Sequence, residues 1–288
     1  MQDEIVSRLA NTLDTQLIAA EARRAERLPN PDAMDLYFQG VARANMGVTP
    51  HYMAQARVFF EKAIALDPGS IDALVGIANV DATTAAALLT DDRASRFSAA
   101  EATLNNVVSM VPQHAFAHAL LGFVQILTNR AAQGIAECRQ ALTLNRNLTN
   151  AHAWIGLGKI YCGRSEETEA HIHEALRLSP RDDLAFRWMM FVGIAKVYLG
   201  ADDEAVVWLR RSIEANRNQP MTHFQLAAAL AQLGALDEAR VIAQAGLAIN
   251  PGFTIGRYRL NLPTDNPTYL AGRERIYEGM RIAGVPEG

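Results

Sequence analysis

The chain predicts an all-α fold built from repeated helix pairs, and three observations predict it. The first is the stretch Trp154 to Pro180, two amphipathic runs separated by Gly163. Steps of three and four place Trp154, Leu157, Gly158 and Tyr161 on one helical face. The second is a recurring grammar: two mostly small residues seven apart, then a helix-ending residue five later. It occurs as Ala56/Ala63/Pro68, Ala100/Val107/Pro112, Gly134/Ala141/Arg146, Thr168/Ala175/Pro180, Ala205/Ser212/Arg217 and Ala239/Gly246/Pro251. The third is the spacing of the enders, 44, 34, 34, 37 and 34 residues. Three of the five equal 34 residues, and a recurring period of that length means stacked supersecondary units, each burying a face against its neighbours. Small residues are needed where helices cross closely, and Gly158 and Ala175 are expected to be buried at such crossings.

In order along the chain, residues 2–27 read as one amphipathic helix with Ile5, Leu9, Leu13 and Leu17 every four residues. Residues 1–31 are thus an amphipathic connector helix, expected to lie against the first pair or, alternatively, to dimerise or link to a catalytic or DNA-binding domain. Pro29-Asn30-Pro31 ends it, and Asp32 is placed to cap the next helix. The repeat region is 32–252. Asp35-Leu36-Tyr37-Phe38-Gln39-Gly40 opens the first unit, and Met46–Pro50 turns into a helix over 51–66. The second unit starts near Ile71, its extra ten residues expected around Ala85 to Arg93 as extended helix. Units three to six follow at Phe116–Leu144, Ala151–Leu178, Leu184–Ala215 and Met221–Ile249. The third lacks a glycine between its helices and breaks at Asn129-Arg130. Residues 253–288 change pattern. A last helix carries Tyr269, Ile276, Tyr277 and Met280 on one side, as expected of a capping element.

The opening Trp154-x2-Leu157-Gly158-x2-Tyr161, with the period, is the first-helix signature that the tetratricopeptide repeat (TPR) family shows, and residues 32–252 resemble that family. The resemblance implies a superhelical solenoid of about six helix-turn-helix units, with an N-terminal helix and a C-terminal capping helix. It also implies that first helices line a concave groove. A looser resemblance covers Gln2–Leu9, Asp35–Gly40 and Asn266–Ile276. These look like the TPR regions that follow adenylate-cyclase-type or winged-helix DNA-binding domains in bacteria. That likeness suggests a signalling context and transfers no catalytic residue.

Composition bounds the rest. Of 288 residues, 50% are hydrophobic and 20% charged, as in an ordinary soluble chain, and the net charge of −4 argues against a nucleic-acid surface spread over the molecule. Cys138 and Cys162 make no disulfide framework and fit reduced thiols in a cytoplasmic protein. Asp3 and Glu4 stand where a signal peptide would carry positive charge. The longest apolar stretch, Trp188 to Leu199, is too short for a bilayer and contains Lys196.

Enzyme motifs fail on one or two positions each. Gly156-Leu157-Gly158-Lys159 would need Gly at Ala153 and Ser or Thr at Ile160 to be a phosphate loop, and Gly at Tyr161 for a dinucleotide site. His173-Glu174 lacks its second histidine at Arg177. His114 and His118 share a helical face but find no third ligand in sequence. His118, His152 and His223 read as packing or capping residues. Neither a catalytic constellation, a metal, nor a cofactor is expected.

What remains is the groove. Its candidate residues are Tyr37, Phe38, Val41, Phe116, Phe123, Lys159, Met190, Phe191 and Phe224. The families that grip acidic tails carry Lys, Arg and Asn at recurring first-helix positions, whereas Ala119, Ile155, Met190 and Phe224 stand here. The groove should therefore take an amphipathic helix or extended apolar peptide, with Phe123 and Phe191 as exposed anchors. The function expected is a non-enzymatic interaction module. The alternative is a regulatory domain that senses a ligand or peptide in the same groove.

Overall fold

The computed structural model describes residues 16–180, 182, 184–260 and 262–288, and among them regular structure is wholly helical. Residues 16–25 form α1, and Ala22 and Ala25 are buried. Arg24 pairs with Asp35 at 2.6 Å and Arg43 with Glu26 at 2.8 Å, tying this segment to the first pair. Ile5, Leu9 and Leu13 of the expected stripe lie outside the described residues, while Leu17 is exposed.

Six pairs follow: α2 (Ala33–Asn45) with α3 (Pro50–Leu66), α4 (Ile71–Ala86) with α5 (Arg93–Met110), and α6 (Ala115–Leu127) with α7 (Ala131–Leu144). Then come α8 (Thr149–Tyr161) with α9 (Thr168–Leu178), α10 (Ala185–Tyr198) with α11 (Asp202–Ala215), and α12 (Pro220–Gln232) with α13 (Leu236–Ile249). A short α14 (Ile255–Arg259) and a longer α15 (Pro267–Ile282) complete the chain. The long second unit spreads its extra length over both helices and the link 87–92, since α4 and α5 run to 16 and 18 residues against 13 and 14 in the third pair.

Every second helix stops two residues before its ending position, at Leu66, Met110, Leu144, Leu178, Ala215 and Ile249. Where that position is proline, the preceding residue is pushed out of the helical region, as at Asp67 (φ −136°, ψ 95°). Where it is arginine, an asparagine before it does the work. Asn145 and Asn216 each accept the N–H two residues on through the side chain, at 3.0 and 2.9 Å.

Inside the later pairs the first helix ends on a left-handed residue, at Gly163, Gly200 and Gly234. The next N–H then reaches back to the carbonyl five residues earlier, from Arg164 to Lys159, Ala201 to Lys196 and Ala235 to Leu230. At Gly200 a Cβ would meet nothing, so its positive φ of 73° alone calls for glycine. In the third pair Asn129 takes the same conformation at φ 61°, where the sequence lacks glycine.

All twelve seven-apart positions of the second helices are buried. Phe60 of α3 shows what they admit: its ring lies over Gly40 of α2 and Gly76 of α4, where a Cβ would come within 2.5 and 2.6 Å. Leu209 of α11 covers Gly193 of α10 in the same way. Gly158 lies against Ile135 and Ile126 of the preceding pair, and Ala175 is fully buried, as the grammar requires. Two of the small positions carry hydroxyls that bond back to the first helix. Thr168 donates to the Gly156 carbonyl at 3.0 Å and Ser212 to that of Phe186 at 2.6 Å.

The chain gathers into two compact units, residues 1–125 with 136–151, and residues 126–135 with 152–288. In the first, Met53, Ala56, Phe60 and Val80 form a core onto which Tyr37, Val41 and Tyr52 pack. Asp81 is buried there and accepts from both Arg57 and Arg96. The second unit holds the C-terminal segment, whose position defines the site below.

Candidate helix-binding face

α15 packs along α12 and α10, the first helices of the last two pairs. Small residues make the approach possible. Gly279 faces the backbone of Ala228, where a Cβ would lie 2.6 Å from the carbonyl oxygen, and at Gly272 a Cβ would overlap the Tyr198 ring. Tyr269 stacks on Tyr198 at 5.1 Å between centroids and meets Tyr161, at the end of α8, edge-on at 5.2 Å. Ahead of the helix, Asn266 caps α15 through Tyr269 N–H at 3.1 Å and donates to the Cys162 carbonyl at 3.3 Å. Asn129 N–H donates to the Pro263 carbonyl at 3.0 Å. Within the second unit, segment 263–282 thus touches the turn at Asn129 and the ends or faces of the fourth, fifth and sixth pairs.

The helical positions that meet it are regular. On α12 they are Ala228 and Gln232, with Gln225 reaching Tyr258 of α14, and on α10 it is Tyr198, 34 residues before Gln232; Phe191 and Ile194 hold the registers of Gln225 and Ala228. On α8 the same face holds Trp154, Leu157 and Tyr161, the signature residues of the sequence.

The seam is polar. Arg273 is buried, and its Nε donates to Tyr277 Oη at 2.9 Å, its Nη1 to Tyr258 and Tyr269 Oη at 2.7 and 2.8 Å, and its Nη2 to the Tyr258 carbonyl at 3.1 Å. Its guanidinium also sits 3.4 Å from the Tyr258 ring centroid, the geometry of a cation on a π face. Burial pushes the phenols of Tyr198, Tyr258 and Tyr269 above their ordinary range, with Arg273 pulling the other way. Gln225 donates to Tyr258 Oη at 2.9 Å, Gln232 to the Arg275 carbonyl at 2.9 Å, and Arg275 to Asp202 at 2.5 Å. Yet Gln225 Oε1, Asp202 Oδ1 and Arg275 Nε are buried without partners. Each such atom costs about 1–3 kcal/mol relative to a satisfied one.

The sequence-predicted groove residues fare differently. Phe123, Phe191 and Phe224 are only 2%, 5% and 0% exposed, and Met190 and Lys159 are buried as well. That corrects the expectation of exposed anchors. Phe224 faces the stack, closing over Gly246 and stacking on Phe253 at 3.9 Å, and Met190 holds the same register one unit earlier. Lys159 pairs with Glu167 across its own turn at 2.6 Å. Phe191 holds the register of Gln225 one pair earlier. Tyr37, Phe38, Val41 and Phe116 are partly buried, and burial beside Asp72 pushes the Tyr37 phenol up to about 12. Sequence reasoning missed Tyr198, Gln225, Ala228 and Gln232, together with Gly272, Arg273 and Gly279. The signal was there in two glycines seven apart on the last helix.

Three histidines have structural duties. His114 Nδ1 accepts from Ala117 N–H at 3.0 Å at the start of α6, and His118 bridges Glu137 at 2.9 Å and the Pro112 carbonyl at 3.0 Å. Burial lowers the pKa of His223, which bonds the Gln219 carbonyl at 3.1 Å. Among the described residues no three His, Cys, Asp or Glu side chains gather as a metal site, and no helix is long and apolar enough to cross a membrane.

Neither a comparison with protein-family models nor one with curated proteins gives a match. Solved structures do match. TTC0263, a thermophilic TPR protein of Thermus thermophilus, aligns with 69% of this chain and 98% of its own at 18% identity and a TM-score of 0.54. Human IFIT1, solved as a dimer with m7Gppp-AAAA, aligns with 92% of this chain and 64% of its own at 15% identity and 0.66. A chain of the APC/C hetero-tetramer Cut9–Hcn1 aligns with 91% of this chain and 45% of its own at 15% identity and 0.61. At these identities the likeness concerns the fold, and the fold is the all-α helix-pair solenoid that TPR proteins have.

Proposed function

We propose that this chain is a non-enzymatic protein-interaction module whose first-helix face receives an amphipathic helix, and that it serves as a regulatory or scaffolding part of a bacterial signalling protein. One observation carries the first half: the helix already lying on α10 and α12 is amphipathic, docks through glycines and spans several pairs. Contacts spread over successive units are how repeat arrays gain binding surface. The signalling half rests on the resemblance of Gln2–Leu9, Asp35–Gly40 and Asn266–Ile276 to TPR regions of cyclase-type and winged-helix regulators. Selection from a displayed library of 20-residue peptides tests the interaction reading. Enriched peptides should be amphipathic helices whose binding slows amide exchange in the first helices of the pairs. Enrichment of proline-rich extended peptides, or protection confined to the second helices, would overturn it.

A further inference from the structure

We infer that Pro263–Ile282 is an exchangeable occupant of this face. The external partner is then a helix of the same pattern, with small residues seven apart and an arginine beside the first, that binds by displacing α15. This rests on the interaction reading above and adds a built-in competitor to it.

Three observations separate this seam from the seams between pairs. Between pairs, a large apolar side chain closes over a glycine, as Phe60 does over Gly40 and Gly76. At the α15 seam the small residues belong to the docking helix, at Gly272 and Gly279, and the scaffold presents a tyrosine ring and bare backbone. Next, the Arg273 guanidinium is buried here among the phenols of Tyr258 on α14 and Tyr269 and Tyr277 on α15, whereas the Phe60 seam is closed by apolar side chains. Finally, Gln225 Oε1 and Asp202 Oδ1 on the scaffold, and Arg275 Nε on α15, are buried without partners. Polar atoms left unmatched on both sides are the mark of a surface that also has to face water or another ligand.

The test uses the full chain. Hydrogen exchange on the unmodified protein should show α15 amides exchanging at least tenfold faster than those of α12 and α13, through a local opening that leaves the pairs closed. A fluorescent peptide spanning Thr264–Gly284 should bind the Gly279→Leu variant at least tenfold tighter than the unmodified chain, because that leucine cannot enter against Ala228 and the variant's own helix vacates the face. The same peptide carrying Gly279→Leu should not bind. If α15 exchanges together with α12 and α13, the inference is wrong and the interaction reading stands on its own peptide selection. Suppose instead that α15 opens alone, yet the peptide ignores a variant whose α10 and α12 keep their protection. Then both the inference and the helix-in-groove reading fail.

Discussion

Two kinds of seam hold this molecule together, and they differ in chemistry. Between α2, α3 and α4, Phe60 fills the space over two glycines, and its neighbours Met53, Ala56 and Val80 are apolar. Between α15 and the first helices it covers, Arg273 sits among Tyr258, Tyr269 and Tyr277, with unmatched polar atoms at the edge. Removing apolar surface from water is non-directional and tolerant, so the first seam gains from every methyl. The second depends on geometry: each donor and acceptor must be met, and two oxygens and one N–H are not. Stability should therefore reside in the pairs, and responsiveness in the C-terminal segment.

The largest test of that division is the double change Phe123→Ala and Phe191→Ala. Both rings are buried, and each truncation of such a ring costs about 3–5 kcal/mol. Denaturant titration should find the double variant largely unfolded, and a fold that survives with a near-native midpoint would return these rings to the surface. Gly158→Leu comes next. Its side chain must enter against Ile135 and Ile126, overpacking a seam between pairs at about 1–3 kcal/mol. The thermal midpoint should drop, and an unchanged one would show that the neighbours move aside.

Arg273→Met attacks the other seam. It strips three phenols of their common donor and should cost about 1–3 kcal/mol. The loss should be local, with faster amide exchange in α15 and none in α4 to α5. A uniform acceleration across all pairs would merge the two seams into one cooperative core.

Alkaline pH should act in the same place and with a defined sign. Tyr198, Tyr258 and Tyr269 are held neutral by burial, so their folded pKa values lie above the unfolded value of about 10. Their stabilisation is complete below that value and is lost as pH rises through and beyond it. Absorbance of tyrosinate should rise together with the release of α15. Ionisation of these phenols with α15 still protected would contradict the buried cage. The smallest effect is expected at Val241, which is 67% exposed on α13. Val241→Ser should leave the midpoint within error.

Much of the fold was legible in the sequence because it follows from local rules. Small residues seven apart mark where helices cross, and proline or an asparagine turn stops each second helix two residues before a predictable position. Both are consequences of backbone sterics and helical period, which act over a few residues. Even Asn129 could be placed at a turn without knowing its φ. The aromatic groove was less legible, since a ring at helical spacing suits a core and a binding face equally. Phe224 and Phe191 are adjacent registers of equivalent helices. The seating of Phe253 on Phe224 and of α15 along α10 and α12 is a tertiary fact that spacing does not carry.

By itself, then, the sequence determined the helix pairs, their ends and their small crossing positions, repeated at intervals of 34 to 44 residues, and the amphipathic character of the last helix. The tertiary structure decided where that last helix goes. Tyr269, Ile276, Tyr277 and Met280 had to be buried, but a capping role at the end of the stack would have buried them as well. What sent the helix along α12 and α10 was contact between residues far apart in the chain: Gly279 with Ala228, Gly272 with Tyr198, and Asn129 with Pro263. Such contacts depend on shape and hydrogen-bond matching across the folded surface, and no periodicity within either partner encodes them.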